Sequence, residues 1–372
     1  MTLLSDFQII RPRFETSQEK GLEWFVAAHV QAERTKGNGQ LDDFEQKIRE
    51  RIQKFCCKSE WIAKRGHVLG DFLHHDWDAM ELYRLKENPM GLGLKARIDL
   101  YKKEVDLIFE GFYPDRSAPP DDLIHVTCTG YVAPSGAQKI VSKHEWGQQT
   151  TVTHAYHMGC YGAMPAIRMG IGFIKAFEEK KRVDIVHTEI SCIHSNLARH
   201  EADQLVTQSL FSDGFIKYSV GKEPNRPHFQ ILGVLEEIIP DSTQSMTWDL
   251  SDWNFAIALA KEVPVLIARA LAPFLKKLMK EQPIEKSYFA IHPGGPKIIS
   301  QIQQLLALEE RQIAHSSKIL REFGNMSSAT LPHVWEAMLR DKTIEDGSCI
   351  VSLAFGPGLS IVGSTMVKRC GS

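Results

Sequence analysis

The chain has 372 residues, of which 43% are hydrophobic and 24% charged, the proportions of an ordinary globular protein with a large core. Its formal net charge of −2 lacks the basic surplus that binds nucleic acid or an anionic membrane surface, so we expect neither as a partner. The sequence contains no run of about 18 apolar residues, and its first residues lack the basic-then-apolar layout of a signal peptide. We therefore expect no membrane span.

The cysteines indicate the compartment. Their number is odd, and they form neither a CxxC pair nor the spacing of a disulfide framework. They are Cys56, Cys57, Cys128, Cys160, Cys192, Cys349 and Cys370. Free thiols of this kind are typical of a reducing environment. We expect a cytoplasmic protein without disulfides.

In the first half of the chain, amphipathic helical patterns lie between short apolar runs. The patterns predict strands over residues 7–10, 123–127 and 183–187 and again within 212–221, and helices over 17–33, 41–55, 94–109, 161–177 and 204–211. Asn38 and Gly39 separate the first two helices.

The second half repeats this alternation. The predicted strands are 229–240, 287–291, 348–354 and 359–367, and the predicted helices are 254–278, 297–306, 309–323 and 331–339. Strands that alternate with helices predict an α/β protein whose sheets are covered by helices. Because no low-complexity linker divides the chain, we expect one compact unit of two related halves, residues 1–228 and 229–372.

Cys160 opens the predicted helix 161–177, within the sequence HMGCYG. Free backbone N–H groups and the positive end of the helix dipole favour a thiolate at such a position, and the thiolate is the nucleophilic form of cysteine. The pattern therefore predicts a nucleophile with a depressed pKa. The alternative is a small cysteine that packs at a helix start.

Two further loops carry reactive side chains among glycine and proline residues: His292 in AIHPGGP and Asn325 in GNMSSA. Cysteine with histidine is the minimum for covalent acyl chemistry, since the histidine supports the thiolate and exchanges protons. An asparagine amide can donate a hydrogen bond to a developing oxyanion. Spacing along the chain leaves open whether Cys160, His292 and Asn325 meet.

Four motifs, AIHPGGPKII, LREFGNMSSAT, QSLFSDGFIKYSVG and AFGPGLSIV, together resemble the type III polyketide synthases, the chalcone-synthase-like ketosynthases. The resemblance runs from about Phe55 to the C-terminus and is weak over the first fifty residues. It implies a thiolase-like fold of two pseudo-repeated halves in αβαβα layers, acting as a homodimer without metal or redox cofactor. The stretch MTWDLSDWNF resembles bacterial members better than plant members.

The resemblance also implies roles for matching positions. Cys160 would accept the acyl group, while His292 and Asn325 would bind the thioester carbonyl of a malonyl extender, promote its decarboxylation and so enable a Claisen condensation. Less direct matches give a substrate-binding set and a coenzyme A set. These are Phe211, His194, Trp248, Ile257 and Ser327 for the substrate, and Lys58, Lys64 and Arg65 for coenzyme A. The alternative for Phe211 is that it only packs in the core. The alternative for the three basic residues is that they form a solvated stretch of the surface without a ligand.

Departures from the plant pattern bear on the substrate. Trp248 stands where the plant enzymes carry a small glycine, Ile257 where they carry a gatekeeping phenylalanine, and His194 where they carry a small threonine. An indole at that place fills space that a folded aromatic product needs. We therefore expect fatty acyl starters, few extensions and an alkylpyrone or alkylresorcinol-like product.

Two other interpretations stay open. A related ketosynthase joins two preformed acyl thioesters, bound to coenzyme A or acyl carrier protein, using an acidic residue in a loop upstream of the cysteine. Here that loop reads CTGYVAPSGAQ and has no acidic residue. A silent thiolase-fold subunit of a larger synthase is the non-enzyme alternative, against which the intact Cys160, His292 and Asn325 argue.

Overall fold

The computed structural model describes residues 1–37, 41–116, 118–223, 226–280 and 282–371, so the predicted break at Asn38 and Gly39 lies outside the described residues. The described α-helices are α1 (Gln18–Thr35), α2 (Leu41–Phe55), α3 (Leu94–Phe112), α4 (Gly136–Lys143), α5 (Ala163–Ala176), α6 (Ala202–Leu210), α7 (Val263–Met279), α8 (Pro296–Leu306), α9 (Glu310–Phe323) and α10 (Thr330–Arg340). None of these helices combines the length and apolarity needed to cross a bilayer.

The described strands alternate with these helices along the chain. They are β1 (Leu3–Ile10), β2 (Phe14–Ser17), β3 (Lys64–His67), β4 (Asp122–Thr127), β5 (Thr151–Tyr156), β6 (Arg182–Glu189), β7 (Gly214–Gly221), β8 (His228–Ile238), β9 (Met246–Leu250), β10 (Phe255–Leu259), β11 (Tyr288–Ile291), β12 (Cys349–Gly356) and β13 (Ser360–Arg369). The α/β prediction is confirmed.

A sheet of nine strands, in the order β11-β12-β13-β8-β1-β7-β6-β4-β5, carries an internal repeat. In the N-terminal run, β4 is parallel to β6, β6 is antiparallel to β7, and β7 is antiparallel to β1. The C-terminal run β11, β12, β13, β8 has the same sequence of directions. The two runs meet where β1 pairs with β8 over two residue pairs only. Both runs therefore have the same strand topology, while the division of the chain at residue 228 stays a prediction.

Three hydrophobic clusters arrange the elements in layers. The first joins α1 to α4 with one face of the N-terminal strands, and the third joins α7 to α9 with one face of the C-terminal strands. The second contains α5, α10 and the other face of both runs. Because side chains alternate across a strand, each run contacts an outer helical layer and the central helix pair, which is the expected αβαβα arrangement.

One predicted element is wrong. Residues 255–259, predicted as the start of a helix, form strand β10, and the helix α7 begins at Val263. Strand β10 pairs antiparallel with β9, so that Phe255 lies opposite Leu250 and Ile257 opposite Trp248. This short hairpin is fixed by pairing between segments, which overrides the local apolar pattern. The sequence analysis also missed the strands β2, β3, β5 and β9 and the helix α4.

Candidate active site

A tight turn holds Cys160 at the start of the central helix α5. Strand β5 ends at Tyr156, a 3₁₀ turn follows over Gly159–Tyr161, and α5 begins at Ala163. Gly159 has φ +77°, and a Cβ at this position would lie 2.3 Å from Cδ of Pro357. Only glycine fits both the conformation and the space, so this residue fixes the place of the cysteine.

The thiol of Cys160 is not the activated thiolate that the sequence predicted. Although part of the residue is exposed, protein atoms enclose the sulfur, and this burial, with the charge of Glu189, raises the pKa of the thiol to about 12. The hydroxyl of Ser327, 3.9 Å from Sγ, and the backbone oppose that shift too weakly. The expectation of a depressed pKa is therefore wrong for this structure, because desolvation outweighs the helix terminus.

His292 follows strand β11, and its backbone N–H donates to the carbonyl of Leu353 at 2.7 Å. Its side chain is buried, with 2% exposure, and neither Nδ1 nor Nε2 has a hydrogen-bond partner among the described residues. Burial lowers the pKa of His292 to about 3, so the ring is neutral. A neutral imidazole with both nitrogens unused can accept one proton and donate another, but it cannot support a thiolate at Cys160 as a cation.

Asn325 pairs with the chain at the end of α6, where it forms an isolated parallel bridge with Phe211. Its N–H donates to the carbonyl of Leu210 at 2.9 Å, and its own carbonyl accepts from Ser212 at 2.9 Å. The side-chain Oδ1 accepts the N–H of Ser327 at 2.9 Å, and Nδ2 donates to the carbonyl of Gly294 at 3.2 Å. These bonds fix the amide and leave one of its two N–H groups for another acceptor.

Contacts link the three predicted catalytic residues. The sulfur of Cys160 contacts Ser327, whose N–H is held by Asn325. The amide of Asn325 reaches Gly294, whose N–H donates to the carbonyl of His292 at 2.9 Å. The structure thus brings Cys160 from the N-terminal half together with His292, Asn325 and Ser327 from the C-terminal half.

A pocket beside this centre collects most of the predicted substrate residues. Phe211, His194, Trp248 and Ile257 line it, together with Phe25 and Phe72 at another part of its wall. Cys160, His292, Asn325 and Ser327, all among the described residues, are outside that lining. The pocket therefore adjoins the catalytic residues and does not contain them.

Trp248 connects the pocket wall to the nucleophile turn. Its indole Nε1 donates to the carbonyl of Cys128 at 2.6 Å, and its carbonyl is 2.6 Å from Nε2 of His157. The sulfur of Cys128 in turn accepts the N–H of Gly159 at 3.0 Å. One bond thus holds the indole and the other holds the backbone of the same residue, as a fixed wall requires.

His194 is part of the wall and is not available for proton transfer. Its Nδ1 accepts the N–H of Phe255 at 3.1 Å, so Nε2 carries the proton and donates to the carbonyl of Thr129 at 2.8 Å. The ring stacks on Phe255 with centroids 4.6 Å apart. Burial lowers the pKa of His194 to about 3, which keeps the ring neutral.

The three predicted coenzyme A residues differ in how accessible their charged groups are to a ligand. Arg65 donates through Nε to Gln18 and through Nη1 to the carbonyls of Gln208 and Phe211, so its guanidinium braces the pocket wall from inside. Lys64 is paired with Glu15 at 2.8 Å, with 44% of its side chain exposed. Lys58 is exposed, and it is the most accessible of the three.

A buried polar network behind Cys160 escaped the sequence analysis. It is centred on Glu189 at the end of β6 and includes Thr129, His187, Ser328 and Tyr218. The sequence carried one signal, an acidic residue directly after an apolar strand. Its partners are 60 and 139 residues away in the chain, so nothing local could identify them.

The fold is similar to that of solved polyketide synthase structures. The C-terminal type III polyketide synthase domain of Steely1, a type I/III hybrid from Dictyostelium, superimposes with a TM-score of 0.82 at 20% identity, over 99% of each chain. PKS-I from the brown alga Ectocarpus siliculosus gives a TM-score of 0.81 at 20% identity, over 99% of this chain and 98% of the alga's. The predicted thiolase-like fold is confirmed.

Sequence comparison finds similarity to one family, most directly in the C-terminal half. Residues 230–370 match the C-terminal domain of chalcone and stilbene synthases. Probable polyketide synthase 1 of Dictyostelium discoideum is 26% identical over an alignment of 252 residues, which covers 65% of this chain but 8% of that much longer protein. These comparisons show that the chain is similar to the type III polyketide synthases, the chalcone-synthase-like family.

Proposed function

We propose that this chain is a polyketide-forming acyltransferase that loads an acyl thioester on Cys160 and extends it with malonyl-CoA. The observation that carries the proposal is the contact path from Cys160 through Ser327, Asn325 and Gly294 to His292. It assembles a nucleophile, a neutral imidazole and an amide at the junction of the two halves. These are the groups that acyl transfer and carbanion formation require.

In the loading step, the sulfur of Cys160 attacks the carbonyl of the acyl thioester. Because the resting group is a thiol, its proton must leave as the C–S bond forms, and the unpartnered imidazole of His292 is the group that can accept it. The bond to the coenzyme A sulfur then breaks. The departing thiolate takes a proton, and the acyl group stays on Cys160.

In the extension step, the bond between the malonyl carboxylate and its neighbouring carbon breaks and releases CO₂. The electron pair forms an enolate, whose oxygen is stabilised by an N–H of His292 and the remaining N–H of Asn325. The enolate carbon attacks the acyl carbonyl on Cys160, and the C–S bond of the enzyme breaks. A chain longer by two carbons results, and Cys160 takes up a proton again.

The substrate class follows from the pocket wall. Trp248, anchored to the carbonyl of Cys128, occupies space beside the nucleophile turn, whereas Ile257 presents an aliphatic side chain to the same pocket. A narrow apolar wall suits an extended alkyl chain better than a folded aromatic one. We infer fatty acyl starters, few extensions and an alkylpyrone or alkylresorcinol-like product of bacterial type.

Assembly and location are part of the proposal. Although α5 belongs to the central layer, its residues Met169, Ile171 and Phe173 are only partly buried, which supports a homodimer that covers them. Lys58 and Lys64 are the residues we assign to the phosphates of coenzyme A. Neither a metal nor a redox cofactor is required by this chemistry, and we place the enzyme in the cytoplasm.

One observation favours the second candidate, a ketosynthase that joins two preformed acyl thioesters, carried by coenzyme A or acyl carrier protein. The loop that would supply its acidic base has no acidic residue, yet Glu189 bonds to the N–H of Cys128 in that loop at 3.0 Å. Both oxygens of this carboxylate are nevertheless occupied by hydrogen-bond donors. We therefore rank this candidate second.

The test is a panel of acyl-CoAs incubated with and without malonyl-CoA, with product mass spectrometry. We expect an acyl adduct on Cys160 that Cys160→Ala abolishes, CO₂ release from malonyl-CoA, and extended products only when both substrates are present. An adduct that persists on Cys160→Ala would overturn the nucleophile assignment. Products formed from two acyl-CoAs without malonyl-CoA would establish the second candidate, and inertness toward all thioesters would support a silent subunit.

A further inference from the structure

The hairpin β9–β10 is attached to the rest of the molecule through individual hydrogen bonds. It forms a two-stranded sheet of its own, outside the nine-stranded sheet, and a sheet of two strands has little stability without outside contacts. Bonds of this kind join it to the loops after β4 and β6 and to α6, through Trp248, Asn254, Phe255 and Ile257. The groups that make these bonds therefore decide where the pocket wall stands.

His157 supplies the bond to the hairpin that starts closest to the nucleophile in the chain. Only Met158 and Gly159 separate it from Cys160. Its Nε2 is 2.6 Å from the carbonyl of Trp248, and because a carbonyl only accepts, Nε2 must carry a proton. Nδ1 is buried and has no hydrogen-bond partner among the described residues. The bond to Trp248 is therefore the hydrogen bond that fixes this ring within the described chain.

Two aromatic rings also contact the imidazole of His157. Its centroid lies 5.3 Å from that of Tyr131 and 5.8 Å from that of Phe255, and the contact with Phe255 is edge-to-face at an interplanar angle of 77°. Edge-to-face contacts are a favoured arrangement of aromatic rings. Phe255 belongs to β10 and Trp248 to β9. One side chain beside the nucleophile turn therefore contacts both strands of the hairpin.

The backbone of His157 has a conformation that few side chains adopt. Its φ is +60°, in the left-handed region that is uncommon for residues other than glycine. Its backbone N–H donates to the carbonyl of Thr127 at 2.8 Å, which extends the pairing of β5 with β4 up to the turn. Strain of this kind clusters at functional sites and persists where the surroundings impose it. With this conformation the chain leaves β5 toward Gly159 while the side chain reaches β9.

We propose that His157 is a positioning residue that links the pocket wall to the turn of the nucleophile, and that this link determines the length of acyl chain that Cys160 accepts. Trp248 and Ile257 lie opposite each other in the hairpin, so a shift of β9 moves both. An acyl chain on Cys160 meets a wall at a fixed distance only while β9 and the turn are joined. The inference rests on the proposed function of Cys160 and of the pocket. His157, one of the described residues, is itself outside the pocket lining.

The experiment alkylates Cys160 with two probes, N-hexyliodoacetamide and N-dodecyliodoacetamide, and measures both rates by peptide mass spectrometry. The ratio of the two rates reports on the wall, because a change in the reactivity of the thiol affects both probes equally. A buried acceptor that loses its donor shifts an equilibrium by about tenfold. In His157→Leu, which removes the donor, we expect the dodecyl-to-hexyl ratio to rise about tenfold. His157→Gln has an amide N–H for the Trp248 carbonyl and should return the ratio to within about twofold of the wild type.

The matched control is His154→Leu, which removes a histidine of β5 whose Nε2 is 2.9 Å from Oγ of Ser135 and which should leave the ratio unchanged. His157→Gly removes the side chain and relieves the positive φ, so it replaces His157→Leu if that variant does not fold, and it should raise the ratio as well. Equal ratios in the His157 variant and in His154→Leu would overturn the link. A His157→Gln protein with the ratio of His157→Leu would overturn the role of the hydrogen bond.

The probes carry their own electrophile and need no thioester. If His157→Leu raises the ratio while the wild type takes no acyl group from any acyl-CoA, the positioning role holds and the proposed function fails. If acyl-CoAs load Cys160 and the ratio in His157→Leu equals that of the wild type, the reverse is true.

Discussion

The replacement Gly159→Ala tests whether the turn before Cys160 is set by backbone geometry. At φ +77° an alanine costs about 1–2 kcal/mol, and its Cβ would lie 2.3 Å from the ring of Pro357, a contact that must be relieved by movement of the turn. Overpacking in a well-packed site costs roughly a further 1–3 kcal/mol. We expect a loss of about 2–5 kcal/mol in the free energy of unfolding, and slower acylation of Cys160.

The assays are urea unfolding and the rate of adduct formation measured by intact mass. Gly147→Ala is the matched control, because no atom lies within 4 Å of a Cβ at that position, and it should stay within about 0.5 kcal/mol of the wild type. A Gly159→Ala protein that is as stable and as readily acylated as Gly147→Ala would refute the claim that this glycine positions the nucleophile.

Three further predictions concern the catalytic residues and the pocket. Asn325→Ala should retain acylation of Cys160 but lose malonyl-CoA decarboxylation, measured as CO₂ release; unchanged release would remove Asn325 from the catalytic set. Since burial raises the pKa of the Cys160 thiol to about 12, the alkylation rate of Cys160 should rise about tenfold per pH unit from pH 7 to 10 without a plateau. Because His292 is neutral, the variant His292→Ala should have the same pH profile. A plateau below pH 9 would contradict the buried thiol. Each added methylene of the starter should raise kcat/KM by up to about fourfold, equivalent to about 0.8 kcal/mol, until the pocket is full, and Trp248→Gly should move the optimum to longer chains; preference for coumaroyl-CoA over hexanoyl- to dodecanoyl-CoA would show the pocket argument to be wrong.

The elements that sequence predicted best are those with a local cause. The helix 41–55 was predicted with the bounds that α2 has, since its apolar spacing and charged face are local. The position of Cys160 at a helix start was likewise readable, because Gly159 and the apolar run of α5 are its neighbours in the chain. The hairpin β9–β10 was missed because its strands are defined by each other.

The candidate site divides in the same way. Residue types and motifs were sufficient to single out Cys160, His292 and Asn325, since the chemistry of acyl transfer restricts which side chains can act. The protonation states of these side chains could not be predicted from the sequence. The pKa of Cys160 depends on enclosure and on Glu189, which is 29 positions further along the chain and enters the site only through the sheet.

The sequence by itself determined the alternation of helices and strands, the family motifs and the three candidate catalytic residues, all of which rest on local pattern and residue chemistry. Only the tertiary structure decided that Arg65 braces a wall instead of facing solvent, that His194 is locked by two hydrogen bonds, and that the nucleophile rests as a thiol. The reason is physical: hydrogen-bond partners and desolvation are set by residues that are distant in the chain and adjacent in the fold.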